Sequence, residues 1–301
     1  MHEPSVTQSR EPLSASKLQA ELVDVSAAPV SELRVLAETG STNAELMEWA
    51  TAGAPDYAVV TASHQTAGQG RLGRSFEGAP GSVLPVSMVF STEGVSPEQW
   101  SLISLLAGLA VADTLRETCG LAPELKWPND VLVDGRKICG ILTQAANTKQ
   151  GTALVVGIGI NVAMTEAELP VPHATSVLLA GGTTLDRNDI AVALIRALRH
   201  RQNLWRDGNV TELLAEYREK CTTLGAEVRA ELPGDKVIVG KAEDINDGGS
   251  LIVRDAAGGK HVVTAGDVQH LRRSDGSYAE PAGKDPQNQP RGKDLPPEGL
   301  A

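Results

Sequence analysis

The sequence predicts an α+β fold in two parts, a mixed-sheet domain followed by a small β-barrel. Up to about residue 223, apolar runs of strand length are interspersed with longer segments of helical periodicity. From Ala226 onward, short alternating strands follow one another, separated by turns rich in glycine. The length of 301 residues suffices for one large and one small domain.

The elements of the first part follow from hydrophobic pattern and turn residues. The predicted strands cover residues 33–37, 57–63, 82–90, 125–133, 137–146 and 153–162. The predicted helices cover residues 42–52, 97–119, 186–205 and 210–221. Thr42 and Glu45 have the spacing of a capping box, and Asp186 is expected to cap the third helix. The strand at 153–162 is apolar throughout, which predicts burial on both faces.

The second part is predicted to be an SH3-like barrel of five strands. These strands cover residues 228–232, 237–242, 250–253, 261–264 and 268–271. The chain is therefore predicted to divide into a large mixed-sheet domain at 31–223, which is the candidate catalytic domain, and a barrel at 224–273. Residues 1–30 are predicted to be mostly disordered, with a short helix possible at 14–23, and 274–301 to be a disordered tail.

Composition excludes several classes of protein. The sequence contains no apolar run of the roughly 20 residues that a bilayer span needs, and no signal-peptide pattern at its start. Three scattered cysteines do not form a disulfide framework or a metal motif. We therefore expect a cytoplasmic protein without a membrane partner. The net charge of −11 argues against general nucleic-acid binding.

Two basic motifs stand out against this acidic background. Residues 68–74, Gly-Gln-Gly-Arg-Leu-Gly-Arg, combine three glycines for close backbone approach with two arginines. Residues 126–130, Lys-Trp-Pro-Asn-Asp, precede a strand that begins Lys137-Ile138-Cys139-Gly140. A mobile surface hairpin also explains the first motif taken alone. Together they predict a pocket for a phosphate-like anion.

Five motifs in order resemble the biotin protein ligase family, over about residues 34–272. They are Gly-Ser-Thr-Asn at 40–43, the loop at 68–74, Lys-Trp-Pro-Asn-Asp at 126–130, Lys-x-x-Gly-Ile-Leu at 137–142 and Gly-x-Gly-Ile-Asn at 157–161. The resemblance implies a class II synthetase-like catalytic domain with the C-terminal barrel. It also implies the monofunctional type, without an N-terminal DNA-binding domain.

The resemblance implies a reaction in two steps. Biotin is activated by ATP as biotinyl-5′-AMP and is then transferred to a lysine of a biotin carboxyl carrier protein or domain. Arg71 and Lys137 are the expected catalytic cations, since negative charge develops when two anions meet. Mg²⁺ would share this charge, and Asp130 is its expected protein ligand. The chain is expected to be a monomer or a weak dimer.

The resemblance also implies two sets of binding residues. Those expected for biotin are Ser41, Thr42, Asn43, Gln65, Gln69, Gly70, Arg71, Lys137 and Gly140. Those expected for ATP and the adenylate are Arg71, Arg74, Trp127, Asn129, Lys137 and Asn161. Structural roles remain open for three of them: Gln65 as a loop residue, Trp127 in the core and Asn161 at a strand end. Lys137 is harder to explain structurally, because it lies in an otherwise apolar strand.

Two positions depart from the family pattern. Gln69 replaces the first arginine of the loop, which removes one charge. Phe76 replaces a tryptophan, so that an aromatic face is kept and an indole N–H is lost.

Three other functions compete with biotin ligation. Lipoate or octanoate ligation uses the same fold but a different glycine-rich loop. A biotin-responsive repressor needs a winged helix-turn-helix, for which the roughly 33 residues before the catalytic region are too short. A non-catalytic interaction module would not need Arg71, Asp130 and Lys137.

Overall fold

The computed structural model describes residues 10–27, 29–232 and 236–264, and the backbone of residues 267–270. The predictions of disorder for residues 1–9 and for the tail at 274–301 lie outside these ranges. Within them the α+β fold is confirmed.

A mixed sheet of seven strands forms the first domain, in the order β1-β2-β3-β7-β6-β5-β4. Its strands are β1 (Leu33–Thr39), β2 (Val59–Gln65), β3 (Val83–Ser91), β4 (Pro123–Lys126), β5 (Asp130–Val133), β6 (Arg136–Thr148) and β7 (Gly151–Asn161). β1 and β2 are parallel, because helix α2 (Thr42–Ala52) connects them, and every other neighbouring pair is antiparallel.

Helices cover both faces of this sheet. On one face lie α3 (Leu102–Cys119), α4 (Arg187–Arg206) and α5 (Val210–Lys220), which form the main core with the sheet. On the other face α2 packs Leu46 and Ala50 against Val60 and Val155. Val155 and Val156 therefore point into opposite cores, which confirms that β7 is buried on both faces.

The second domain is an antiparallel sheet in the order β11-β10-β9-β8-β12. Its strands are β8 (Glu227–Leu232), β9 (Lys236–Ile245), β10 (Leu251–Arg254), β11 (Lys260–Val263) and β12 (Asp267–His270). It docks on the first domain at Gly249, whose backbone carbonyl accepts the indole N–H of Trp127 at 2.9 Å. Arg218 of α5 also donates to Asp244 at 2.9 Å.

Two local predictions were wrong. The single strand at 125–133 is two strands, β4 and β5, because Pro128 has no N–H with which to continue the ladder and the chain turns there. The capping box of Thr42 and Glu45 does not form: Ser41 is the N-cap, and the Thr42 N–H instead donates to Gln65 at 2.7 Å. Glu45 accepts from the Thr39 hydroxyl at 2.8 Å.

The prediction of disorder was also wrong for residues 10–13, which pack on the first domain, whereas the short helix predicted at 14–23 is present. Helix α1 (Ala15–Leu22) begins at Ser14, whose side chain accepts the N–H of Lys17. Leu18 and Leu22 are fully buried in the main core. The helix that the spacing of these two leucines suggested therefore exists, and long-range packing on α4 stabilises it.

Candidate active site

A cavity of about 830 Å³ lies on the face of the sheet that carries α2, and its size is typical of a small-molecule pocket. All fourteen residues predicted for the site line it. They are Ser41, Thr42, Asn43, Gln65, Gln69, Gly70, Arg71, Arg74, Trp127, Asn129, Asp130, Lys137, Gly140 and Asn161. The fold thus brings all five motifs together.

Two glycines of β7 make room for the site. Alternation along the strand places Gly157 and Gly159 on the same face as Val155. A Cβ on Gly157 would lie 2.1 Å from Asn43 Oδ1, and a Cβ on Gly159 would lie 2.1 Å from Phe76 Cε1. The Gly-x-Gly spacing is therefore a packing requirement, because no side chain fits beneath Asn43 or the Phe76 ring.

A neutral hydrogen-bonded group, the neutral cluster, consists of Thr42, Asn43, Gln65 and Ser87. The Thr42 N–H and hydroxyl both donate to Gln65 Oε1, at 2.7 and 2.9 Å. Ser87 is fully buried, and its Oγ lies 2.8 Å from Thr42 Oγ1 and 2.6 Å from Asn43 Oδ1. Asn43 Nδ2 donates onward to Gln144 at 3.0 Å. This network holds the start of α2 and the end of β2 in one arrangement.

The loop with three glycines is a closed hairpin. The Phe76 N–H donates to the Gly68 carbonyl at 2.8 Å, and the Gly70 N–H to the Arg74 carbonyl at 2.6 Å. Arg71 leaves the hairpin and donates to Asn129 Oδ1 at 3.0 Å, which joins the first basic motif to the second. Leu72 at the tip is 70% exposed and has a left-handed backbone, with φ 56°.

The Phe76 ring anchors this loop to the sheet. It lies over Gly159 and within 3.8 Å of a Cβ position on Gly140. The phenylalanine that replaces tryptophan at this position therefore keeps an aromatic contact with Gly140 of β6 and Gly159 of β7. The sequence marked Phe76 as a departure but did not predict this contact.

Lys137 and Asp130 form an ion pair with 2.6 Å between Nζ and Oδ1, and their side chains are 31% and 20% exposed. The pair explains why a lysine can stand in an apolar strand. The Lys137 N–H donates to the His173 carbonyl at 2.8 Å, and the Lys137 carbonyl accepts the Thr175 N–H at 2.8 Å. The backbone of Lys137 is thus fixed while its ammonium faces the cavity.

Trp127 and Asn161 have both a structural and a site position. Trp127 is 2% exposed, and its N–H and indole N–H bridge to Thr223 and to Gly249 of the second domain. Asn161 is 3% exposed and donates to the Thr175 carbonyl at 2.9 Å. Its buried Oδ1 has no hydrogen-bond partner among the described residues, which leaves one acceptor beside the cavity.

The cysteines take no part in this site. All three are free and buried. Burial raises the pKa of the Cys119 thiol to about 11, and it also raises the pKa values of Cys139 and Cys221. Such thiols are inert. The described residues also contain no cluster of three or more His, Cys, Asp or Glu that could hold a metal ion without another ligand.

Sequence reasoning missed several residues of this site. Ser87 and Gln144 do not line the cavity but hydrogen-bond Thr42 and Asn43, which do. Both lie in strands and carry no motif, and their only signal was a polar side chain in a strand. His173 and the neighbouring Pro170, Val171 and Ala174 line the cavity from an irregular segment. An isolated β-bridge between Ala174 and Lys137 joins that segment to the sheet. No local sequence pattern predicts this bridge.

Comparison with known proteins assigns the chain to a family. A profile described as the Biotin/lipoate A/B protein ligase family matches residues 35–161, and one described as the Biotin protein ligase C terminal domain matches residues 223–271. A Mycobacterium tuberculosis protein named biotin–[acetyl-CoA-carboxylase] ligase is 42% identical over 87% of this chain and 97% of its own length. The chain belongs to the biotin protein ligase family.

Further relatives agree with this membership. A biotin–[acetyl-CoA-carboxylase] ligase of Paracoccus denitrificans is 34% identical over 78% of this chain and 98% of its own length. The solved biotin protein ligase of Aquifex aeolicus, in complex with biotin and ATP, superposes with a TM-score of 0.69 at 26% identity. It covers 80% of this chain and all of that one. The predicted fold class and family resemblance are confirmed.

Proposed function

We propose that this chain activates biotin with ATP as biotinyl-5′-AMP and transfers it to a lysine of a biotin carboxyl carrier protein or domain. One observation carries the proposal: a single cavity joins the neutral cluster to the charged side chains Arg71, Asp130 and Lys137. A ligand with a neutral polar head and an anionic tail matches that division. Biotin, with its ureido ring and its carboxylate, has this chemistry.

The neutral cluster favours biotin over lipoate. Thr42 and Asn43 are at most 6% exposed, and their side chains are hydrogen-bonded within the cluster. A ureido ring carries N–H groups and a carbonyl that can replace the hydrogen bonds it displaces in this cluster, whereas a dithiolane ring has no group that can replace them. Sites built for hydrogen bonding reject analogues that lack the partner by about 10⁴–10⁵-fold. Gln69, Gly70 and Gly140 would line the path from this ring to the carboxylate.

The charged side chains suit the first step. A biotin carboxylate oxygen attacks the α-phosphorus of ATP, the P–O bond to the β-phosphate breaks, and pyrophosphate leaves. Lys137 and Arg71 neutralise the charge that develops on the α-phosphate, with Arg74 beside them. Trp127, Asn129 and Asn161 line the side of the cavity proposed for the adenylate, where the Asn161 Oδ1 could accept a hydrogen bond.

Transfer needs little more from the protein. The acceptor lysine amine, in its neutral form, attacks the acyl carbon, the bond to phosphate breaks, and AMP leaves. The main demand is exclusion of water from the mixed anhydride, which the loop anchored by Phe76 can meet. The second domain, docked at Trp127, is proposed to help bind ATP and the acceptor.

Magnesium fits the cavity only as part of the nucleotide complex. Asp130 is a single carboxylate and already pairs with Lys137, so that it provides one hard oxygen ligand and not a cage. When bound, Mg²⁺ would neutralise phosphate charge. Asp130 is proposed as its protein ligand.

The remaining properties are also proposals. A cytoplasmic location is proposed because no described helix is long and apolar enough to cross a membrane and the thiols are free. No DNA partner is proposed, since residues 10–27 and 29–32 contain one helix of eight residues, where a helix-turn-helix needs two. The chain is proposed to be a monomer or a weak dimer.

The test is biotin-dependent exchange of labelled pyrophosphate into ATP, with lipoate as the control substrate. We expect exchange with biotin, none with lipoate, and label transfer to a biotin carboxyl carrier domain. Exchange that depends on lipoate would assign the cavity to the rival ligation. Absence of exchange with either acid would contradict the proposed enzyme activity.

A further inference from the structure

Residues 10–14, here called the N-terminal arm, run across the ends of the strands that carry the site. The Leu13 N–H donates to Ser63 Oγ at 2.9 Å, near the end of β2. The Ser14 N–H donates to Asn188 Oδ1 at 2.7 Å, at the start of α4. Leu13 itself is 8% exposed and belongs to the main core. The arm is therefore part of the catalytic domain.

Arg10 joins the arm to the segment that follows β7. Its guanidinium forms a fork with the Glu168 carboxylate, at 3.0 and 2.5 Å, and also donates to the Ala163 carbonyl at 2.6 Å. The fork holds the pKa of Glu168 down to about 2, so the pair is charged at neutral pH. Glu168 also accepts the Thr165 N–H at 2.9 Å. The segment continues directly into Pro170 and Val171 of the cavity wall.

The Arg10 backbone also contacts the chain that leads from residues 68–76, here called the ligand loop, to β3. Gly81 lies between Phe76 and β3 and has φ +76°. A Cβ on Gly81 would lie 2.6 Å from the Arg10 carbonyl oxygen and 2.7 Å from the Arg10 Cβ. Only glycine allows this approach, so the arm packs directly on the chain that leaves the loop.

Arg187 binds the arm from beneath. It is 2% exposed, and its guanidinium donates to the carbonyls of Ser63, Val83 and Glu11 at 2.9, 3.0 and 2.7 Å. These carbonyls belong to the end of β2, the start of β3 and the arm. Burial lowers the pKa of Arg187 to about 10, which still leaves it charged at neutral pH. One cation thus fixes three chain segments together.

The three strands whose ends or following segments contact the arm, β2, β3 and β7, lead to the site within a few residues. β2 ends at Gln65, β3 follows the loop anchored by Phe76, and β7 ends at Asn161. Resting on the function proposed above, we propose that the N-terminal arm, through Arg10 and Glu168, is a strap that positions the ligand loop over the adenylate. Arg10 and Glu168 are positioning residues, since neither lines the cavity.

A matched ion pair at the other end of β3 provides the control. Arg206 pairs with Asp56 at 2.9 Å and donates to the Ser91 carbonyl at 2.9 Å. Its side chain and that of Asp56 are 27% and 26% exposed, against 20% and 29% for Arg10 and Glu168. Removal of either arginine deletes one carboxylate pair and one carbonyl contact, and removal of Arg206 also deletes a hydrogen bond to the Tyr57 hydroxyl. Only Arg10 lies beside the chain that leaves the loop.

The first experiment needs no ligand. Hydrogen exchange is measured on the full chain and on its Arg10→Ala, Arg10→Lys and Arg206→Ala variants, with thermal unfolding measured for each. We expect Arg10→Ala to speed exchange of residues 66–81 and 163–174 by about tenfold, and Arg10→Lys by less, because a lysine keeps the charge but not the fork. Arg206→Ala should lose similar thermal stability and leave both segments protected. Equal protection in the Arg10→Ala and Arg206→Ala variants would overturn the strap.

The second experiment tests the consequence for the reaction. We expect Arg10→Ala to raise the dissociation rate of biotinyl-5′-AMP about five- to tenfold, and Glu168→Ala to do the same. The double variant should be no worse than either single one, because both remove one interaction. The charge exchange Arg10→Glu with Glu168→Arg should recover part of the loss. Additive effects of the two single substitutions would overturn the coupling of Arg10 and Glu168. A wild-type chain that forms no adenylate would contradict the proposed function, but the hydrogen-exchange experiment would still test the strap.

Discussion

The two sides of the cavity differ in burial and in charge. The neutral cluster around Thr42 and Asn43 is at most 6% exposed at these two residues and is closed by its own hydrogen bonds. The charged side has Lys137 at 31% and Asp130 at 20% exposure, and a half-buried Arg71 that joins it from the loop. The hydrogen bonds of the cluster hold its polar groups in fixed positions for a ligand group whose charge does not change, whereas the cations lie where negative charge develops in the proposed reaction.

This difference predicts different kinetic signatures. Groups that contact the ureido ring act equally on the ground state and the transition state, so their loss should raise the KM for biotin. Loss of the groups that stabilise charge formed only during the reaction should lower kcat. The substitutions below test this division, in order of decreasing effect.

Lys137→Ala should lower pyrophosphate exchange by about 10²–10³-fold, because it removes a cation from the site of developing charge. The fold should survive, since Lys137 lies at the edge of the cavity and its removal leaves no buried void. The measurement is kcat for exchange, beside circular dichroism. Arg136→Ala is the control, because Arg136 is the preceding residue and pairs outward with Glu166. A variant with near-normal kcat would refute the role of Lys137.

Arg71→Gly should release the adenylate at least about tenfold faster, which corresponds to a loss of about 1.4 kcal/mol of binding free energy. Arg71 reaches from the loop to Asn129, and its loss frees the loop from the second motif. The readouts are the dissociation rate of biotinyl-5′-AMP and biotin labelling of bystander proteins. Leu72→Ala, at the exposed tip of the same loop, is the uncharged comparison. A dissociation rate equal to that of the wild type would count against this prediction.

Gly157→Ala should raise the KM for biotin and lower stability by about 1–3 kcal/mol, because the new methyl group overlaps Asn43. The effect on kcat should be smaller than the effect on KM. Gly40→Ala is the control, since a Cβ there meets nothing within 4 Å. Equal KM values in the two variants would show that the neutral cluster is not where biotin binds.

Ser87→Ala should raise the KM for biotin about fivefold and leave the KM for ATP unchanged. It removes a hydroxyl that contacts both Thr42 and Asn43, and such a hydrogen bond contributes about 1 kcal/mol. Thr114→Val is the matched control, because Thr114 is a buried hydroxyl bonded to the Ala110 carbonyl, away from the cavity. A rise in the KM for ATP instead would indicate that the neutral cluster binds the nucleotide and that biotin lies on the charged side.

Much of the fold was predictable from local pattern. Helix α2 covers the predicted residues 42–52, and Asp186 caps α4 as expected. The failures have two causes. The break at 127–129 is local, because Pro128 has no N–H with which to continue the ladder. The N-cap at Ser41 and the packing of Leu13, Leu18 and Leu22 depend on partners far along the chain, which a local pattern cannot supply.

The sequence by itself predicted fourteen residues that line the cavity, because glycines, cations and asparagines at fixed spacing are local requirements of close approach and charge. Only the tertiary structure decided how they are held. Asn43 stands over Gly157, Phe76 over Gly159, and Arg10 pairs with Glu168 across 158 positions. Such contacts depend on strand order and on packing distance. They become visible only when the sheet brings the strand ends together.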